Sequence, residues 1–526
     1  MARPINSRIQ VCGTLVAESP LHVGGLEQSV EVDLSLAVNG QGQYYIPGTS
    51  LAGVLRAGMA AIDGIDAGLI RTLWGFQPER DSNKPVTQTG HASFILIKDA
   101  VVTGGQPERR DGVAIDRAWG ATAEHMKYDR AILPKGSMIA FHLTLEQQSQ
   151  QSETSQIALA KLIQALEQGE IRLGAAKTRG LGCVKLTNVQ VQKQTFADRT
   201  KMLQVLQGQW ESMALPTTEQ PVLSTQLQIQ IDWQPIDPVM VKAEAAGIAV
   251  DILPLVSTVN DRLRLVLPGS SIKGALRSQA ERIIRTVRAD QDNLNQSFDQ
   301  QVQLPLVTEL FGRAAKKVER QANGKTQNSG IEPSNAAKVE PSRQIGRLFV
   351  KDCYAKNPIE SQAWDQVMAA TTSDDLQKAL QQAGLEHTQA AHHVAIDRWT
   401  GGASDGALYS VLEPMNMAWH PIQLILELGQ LAISLQRPLL MLLLLLLRDL
   451  SSKRIPLGFA VNRGMGTIRV SHIKLTGSIL AELQIENGVI EIPDGDFSRL
   501  QGNWLTSLNQ DWQNWLNANG NDGDKA

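Results

Sequence analysis

A glycine-rich loop carrying a cation occurs twice in this chain, and the pair limits the possible folds more than any other feature. The first copy is Leu173-Gly174-Ala175-Ala176-Lys177-Thr178-Arg179-Gly180-Leu181-Gly182. The second is Leu457-Gly458-Phe459-Ala460-Val461-Asn462-Arg463-Gly464-Met465-Gly466. One such loop is a common tight turn, because glycine reaches positive φ without steric cost. Here each copy runs into an apolar strand, Cys183-Val184-Lys185-Leu186 and Thr467-Ile468-Arg469-Val470. Upstream, Pro47-Gly48-Thr49-Ser50-Leu51 to Arg56 returns as Pro268-Gly269-Ser270-Ser271-Ile272 to Arg277, an offset of 221 residues (47 to 268). Leu73-Trp74-Gly75 returns as Leu310-Phe311-Gly312, and Ile97-Lys98-Asp99 as Val350-Lys351-Asp352, an offset of 253 (99 to 352). Ala114-Ile115-Asp116-Arg117 returns as Ala395-Ile396-Asp397-Arg398 at 281 (116 to 397), shared by Tyr128 and Tyr409, and the glycine loops lie 284 apart (179 to 463). The order is kept and the offset only grows. The chain is a duplicated domain whose second copy carries insertions.

A length of 526 residues is enough for two sizeable cores. The expected division is a first domain over 1–205, a linker over 206–224 and a second domain over 225–475. The second domain carries insertions at 314–345 and 358–390, and a helical extension and tail cover 476–526. A net charge of −3 argues against a uniformly basic nucleic-acid binder but allows a local basic stripe. Cys12, Cys183 and Cys353 have no metal-ligand spacing and fit reduced intracellular thiols. The N-terminus lacks the apolar core of a secretion signal. The apolar run Leu439 to Leu447, between Pro438 and Arg448-Asp449, is too short to span a bilayer and reads as a buried helix. A cytoplasmic protein without a membrane partner is the expectation.

Residues 5–17 alternate apolar and polar, as do Leu227, Ile229, Ile231 and Trp233, so each copy opens on a half-buried strand. Thr49 or Ser50 is the expected N-cap of a helix over Leu51 to Ala61 that carries Arg56. Backbone amides at a helix start beside glycine suit an anion, and nearby Arg56, Lys273 and Arg277 favour phosphate there. A strand is expected over Ser93 to Lys98 between loops at 77–92 and 103–113. A Gln/Ser linker over 147–156 precedes a helix over Ile157 to Glu167, and one or two amphipathic helices are expected within 358–390. Trp504, Trp512 and Trp515 lie at helical spacing and suit either core packing or a partner groove. Each copy thus reads as a βαββαβ, ferredoxin-like unit with long inserts, giving an α+β protein of two tandem domains.

Taken as an ordered set, the Pro-Gly-Thr-Ser helix start with Arg56, the Ile115-Asp116-Arg117 insert and the closing glycine loop resemble the RAMP superfamily of CRISPR-associated proteins. Within it the chain looks most like the backbone subunit of type III effector complexes, here two subunits fused in a III-D-like arrangement over about 5–190 and 225–475. The resemblance implies an RRM-like core that grips guide RNA, an extended hairpin or thumb from 103–130 and 390–410, and partnership with guide RNA, target RNA and other CRISPR effector subunits. It also implies a target-cutting aspartate, carried over to Asp33 in Val30-Glu31-Val32-Asp33-Leu34 and to Asp251 in Ala249-Val250-Asp251-Ile252-Leu253. His22 of Leu21-His22-Val23-Gly24-Gly25 would support RNA geometry, while Met240, Lys242 and Ala243 stand upstream of Asp251. Thr49, Ser50, Arg56, Arg117, Lys177, Arg179, Ser270, Ser271, Lys273, Arg277, Arg398 and Arg463 are the expected RNA contacts.

RNA is cut when its 2′-hydroxyl attacks the adjacent phosphate in line, and a base splayed beside the cut permits that alignment. An exposed aspartate, ordinarily near pKa 3.9, is a poor base at neutral pH and better suited to holding Mg²⁺ or another divalent ion at the phosphate. Asp33 and Asp251 are therefore the expected metal ligands. The recurring Asp99 and Asp352 lie at strand ends, where capping explains them. Two alternatives stand beside the nuclease reading. One is an inert RNA-binding scaffold; the other is a guide-processing endoribonuclease, which calls for a His/Tyr/Lys constellation by the glycine loop and finds only His22.

Overall fold

The computed structural model describes residues 5–25, 32–77, 90–117, 119–148, 152–218, 226–288, 298–313, 344–429, 431–485 and 488–519. Nearly all of the expected 314–345 insertion, most of the 77–92 loop and the end of the tail lie outside the described residues.

The first domain opens with β1 (Ser7–Ala17), β2 (Tyr45–Ile46), α1 (Gly48–Ala61) and α2 (Ala67–Trp74). It continues with β3 (Ile95–Ile97), β4 (Ala100–Thr103), β5 (Glu108–Ile115), β6 (Thr122–Ile132) and β7 (Met138–Gln147). It closes with α3 (Ser152–Glu167), β8 (Val184–Thr195), α4 (Arg199–Leu206) and β9 (Glu211–Ser212). The second domain begins with β10 (Gln226–Pro235), β11 (Val256–Val259), β12 (Arg262–Leu267) and α5 (Gly269–Arg288). Next come α6 (Phe298–Gln301), α7 (Val307–Phe311), β13 (Gly312–Arg313), β14 (Gln344–Ile345), β15 (Leu348–Val350) and β16 (Cys353–Tyr354). After them come α8 (Ser361–Ala369), α9 (Ser373–Gln382), β17 (Thr388–Ile396), β18 (Ala403–Pro414) and β19 (Ile422–Glu427). The chain ends with α10 (Ile433–Ser451), β20 (Ile468–Gly477), α11 (Ser478–Glu482), β21 (Val489–Pro493) and α12 (Asn503–Asn519).

The two antiparallel sheets are copies. The first is ordered β2-β4-β7-β1-β8-β9, with β3 also on β7, and the second β15-β19-β10-β20-β21. Reduced to four core strands, both run second-third-first-fourth, the ferredoxin-like order. Even the irregularity of the first strand recurs, since β1 shifts register against β8 at Cys12/Thr14 and β10 against β20 at Asp232/Trp233. The expected alternation is what packs: Ile9, Val11 and Leu15 are buried on the first core, and Leu227, Ile229, Ile231 and Trp233 on the second. Each such side chain taken from water contributes about 1.5–3 kcal/mol. Long hairpins, β5–β6 and β17–β18, leave the two sheets at the expected thumb positions.

Several expectations change on inspection of the packing. Neither Thr49 nor Ser50 caps α1; the helix starts at Gly48 behind Pro47, whose side chain cannot accept a hydrogen bond. The cap comes from a neighbouring strand end, because Asp99 Oδ1 accepts the Gly48 N–H at 2.7 Å. Asp352 Oδ1 does the same for Gly269, also at 2.7 Å. The first sheet also outruns the expected boundary, since β9 pairs with β8 and Met213 and Leu215 pack on the first core. The terminal tryptophans are core: Trp512 and Trp515 are buried and stack with centroids 5.6 Å apart. The leucine run is buried in α10, which extends N-terminally past Pro438. That proline removes a single hydrogen bond near the helix start. Among the described residues no helix is long and apolar enough to cross a membrane.

Candidate nucleic-acid interface

Both predicted catalytic aspartates are exposed and sit at the root of a hairpin, held by its second strand. Asp33 and Asp129 exchange hydrogen bonds: Asp129 Oδ1 accepts the Asp33 N–H at 2.6 Å, and Asp33 Oδ2 accepts the Asp129 N–H at 3.0 Å. Asp251 Oδ2 accepts both the Ser410 N–H at 2.7 Å and the Ser410 hydroxyl at 2.9 Å. The following residues make parallel bridges, Leu34 to Arg130 and Ile252 to Val411. These pairs obey one correspondence, 218 residues for the loop (33 to 251) and 281 for the hairpin (129 to 410). The longer stretch from Asp251 to Pro268 is taken up in the β11–β12 hairpin, which turns through Asn260 and Asp261 at positive φ. The Ser410 backbone and hydroxyl hold Asp251 below the usual carboxylate range, and the Asp33 N–H, followed by Arg109, does so for Asp129.

The same 218-residue correspondence places Met240 opposite His22. The His22 carbonyl accepts the Ala175 N–H at 2.9 Å, and the Met240 carbonyl accepts that of Phe459 at 2.7 Å. His22 is therefore an anchor for the glycine loop, and its ring lies buried with Nδ1 2.7 Å from the Ala131 carbonyl. This corrects the expectation of an RNA contact at His22. In the second domain Met240 packs with Val411 and Met465, so apolar contact does the work of the imidazole hydrogen bond.

Each glycine loop is one turn bracketed by left-handed residues, Ala176 and Gly180 in one and Ala460 and Gly464 in the other. Arg179 and Arg463 are exposed on these turns and donate to the hydroxyls of Tyr128 (2.8 Å) and Tyr409. Arg179, Tyr128 and Arg130 line a cavity of about 40 Å³ beside Ser270 at the start of α5. Burial pulls the Arg130 guanidinium down, with Arg179 adding to the effect. Crowded, partly buried cations at a helix start are relieved by an anion such as phosphate. Thr49, Ser50 and Arg56 are exposed along the start of α1, and Arg398 is exposed at the tip of the second hairpin.

Other expected contacts are engaged inside the protein. Lys273 is buried and donates to the Leu348 carbonyl at 2.7 Å, and burial with Arg179, Arg277 and Arg172 pushes it well below the usual lysine range. Arg277 is spent on Glu281 and on the carbonyls of Gly312 and Val302. Arg117 pairs with Glu281 across the domain joint at 2.5 Å, and Lys177 is half-buried with its ammonium pulled down by burial, then by Arg172. Lys273 and Arg277 are spent within the second domain, and Arg117 on the joint between the domains. Two residues escaped the sequence reading: Trp119 and Trp399 stand at the hairpin tips, 77% and 95% exposed. Their signal was present as a tryptophan closely following Asp-Arg in both copies.

Burial also pulls His22, His142 and His420 below the ordinary histidine range. A histidine with a depressed folded pKa stabilises fully above its unfolded value of about 6.5, and that contribution is lost as pH falls towards the folded value. Asp129 and Asp251, with lowered pKa values, lose their contribution only in stronger acid. The melting temperature should therefore fall between about pH 7.5 and 5.5. Calorimetry showing a rise over that range would contradict the burial argument.

The pattern that defines the RAMP superfamily matches residues 14–185 and again residues 257–469. No curated protein matches the chain. RAMP membership places it among CRISPR-associated RNA-binding proteins, a group in which some members are endoribonucleases. The two matches cover well over half of the sequence and coincide with the two copied sheets, so the chain belongs to the RAMP superfamily as two RAMP domains in tandem.

Proposed function

We propose that this chain is a backbone subunit of a type III CRISPR ribonucleoprotein that grips guide RNA and cuts the paired target RNA once per domain, with Asp33 and Asp251. The observation that carries this reading is the shared root geometry: two exposed carboxylates at corresponding positions, each with Oδ2 tied to a hairpin N–H. Guide phosphates are held at the α5 start and by Arg179 and Arg463, contacts that position RNA without reading its sequence. Trp119 and Trp399 at the hairpin tips wedge the guide–target duplex apart, and the unstacked nucleotide can then align for in-line attack.

The carboxylates fit a divalent ion of the Mg²⁺ kind. Asp33, with the Asp129 carboxylate beside it, and Asp251 would hold such an ion, which would keep most of its water. Such an ion supplies charge neutralisation at the reacting phosphate. Ser410 keeps Asp251 ionised, which suits cation binding and not proton removal.

The test is target cleavage by the complex rebuilt with guide RNA and Mg²⁺, with and without the double substitution Asp33→Ala/Asp251→Ala. Loss of every cut with target binding intact is expected. Survival of the cuts would make this chain an RNA-binding scaffold.

A further inference from the structure

The joint between the domains is polar and buried. Arg110 of the first hairpin pairs with Asp352 of the second domain, and their side chains are only 9% and 1% exposed. Arg110 also donates to Ser257 Oγ at 3.0 Å, and that hydroxyl donates to Glu108 Oε2 at 2.6 Å. Glu108 further accepts the Thr258 N–H, and Arg109 pairs with Glu244 at 2.7 Å. The Arg172 guanidinium lies 4.1 Å from the centre of the Phe349 ring.

Because the domains are copies, several parts of this joint have counterparts on the outer faces of the chain. On the trailing face, the 281-residue offset puts Gln389, Ala390 and Ala391 at the places of Glu108, Arg109 and Arg110. The 284-residue offset puts Pro456 at that of Arg172 and Val461 at that of Lys177. On the leading face, Asp99 stands for Asp352, Leu96 for Phe349 and Ala60 for Glu281. Asp99 caps its helix as Asp352 does, yet it is exposed, and Leu96 beside it is 48% exposed. The leading face has kept its carboxylate, while the trailing face carries alanine where the answering arginine stood. Seating Ala391 on Asp99 would bury an unpaired charge, a contact that discriminates strongly against copy-on-copy docking.

We propose that the Asp99 face docks a different protein chain, one that presents arginine or lysine to Asp99, and that a second copy of this chain cannot take that place. Sedimentation velocity on the purified full chain tests it directly. The wild type is expected to stay monomeric up to roughly 50 µM. Restoring the cationic latch on the trailing face with Gln389→Glu, Ala390→Arg and Ala391→Arg is expected to produce concentration-dependent association. Adding Asp99→Ala to that triple variant should abolish the association. Wild-type self-association that Asp99→Arg removes would overturn the proposal. So would a triple variant that melts like the wild type and remains monomeric.

A paired substitution checks the same asymmetry from the glycine loops. A Cβ at Gly180 would lie 2.3 Å from Asp352 Oδ1, whereas one at Gly464 meets nothing within 4 Å. Both glycines have positive φ. Gly464→Ala should therefore cost only the backbone strain, and Gly180→Ala should lower the melting temperature by clearly more. Equal losses would mean that the first loop is not packed against Asp352 as described.

Discussion

Asp33→Ala is expected to erase one set of target-RNA cuts and leave the other at its normal rate. Removing a preorganised charge from a reacting phosphate typically slows the chemical step by about 10²–10³-fold. Asp251→Ala should erase the complementary set. The asparagine variants separate charge from architecture. Asp33→Asn can still accept the Asp129 N–H through its amide oxygen, and Asp251→Asn can still accept from Ser410. Each keeps the hairpin root and loses only the negative charge, so each should be as inactive as the alanine form while binding target normally. Gel analysis of labelled target, with a filter-binding control, decides the matter. An Asn variant that cuts at the wild-type rate would show that these carboxylates shape the loop and do no chemistry.

Arg110→Ala should open the joint between the domains. The substitution strands Asp352, whose side chain is 1% exposed, without its counter-charge. Breaking a buried pair on one side costs about 3–5 kcal/mol, far above the roughly 0–1 kcal/mol of a surface pair. Burial alone would pull Arg110 down, but Asp352, then Tyr354 and Glu108, hold it firmly charged. The double variant Arg110→Met/Asp352→Asn removes both charges and leaves an acceptor for the Gly269 N–H, so it should recover most of the loss. Two cores need not unfold together, so a local readout is needed beside the melting temperature. Hydrogen exchange at the Thr258 and Gly269 amides reports the joint itself. A single variant that leaves both amides protected would refute the latch.

The repeat arithmetic made the fold legible, because five short motifs in constant order leave little freedom for a second topology. That Asp33 and Asp251 occupy corresponding positions was also legible, and the 14- and 17-residue spacings to Pro47 and Pro268 differ through a longer hairpin turn. His22 misled for a physical reason. Its side chain looks like chemistry, while the fold uses its backbone carbonyl, which Met240 supplies equally well. Lys273 and Arg277 looked like phosphate ligands because charge is visible in a sequence and burial is not. The Arg110–Asp352 pair was unreadable, since it joins residues 242 positions apart on two different copies. Asp99 and Asp352 were read correctly as strand-end caps, but capping is only half of what Asp352 does.

Fusion also changes what a substitution can accomplish. In a row built from identical separate subunits, one codon change alters every junction at once, and on both sides of it. In this chain the residue at 110 and its counterpart at 391 are written separately, so arginine can be kept at one and alanine at the other. A strong charged contact can then be installed at a single junction without making the whole row stickier. Duplication within one chain thus leaves its three faces, two outer and one inner, free to diverge independently. The number of domains in the row becomes a matter of reading frame and no longer of concentration.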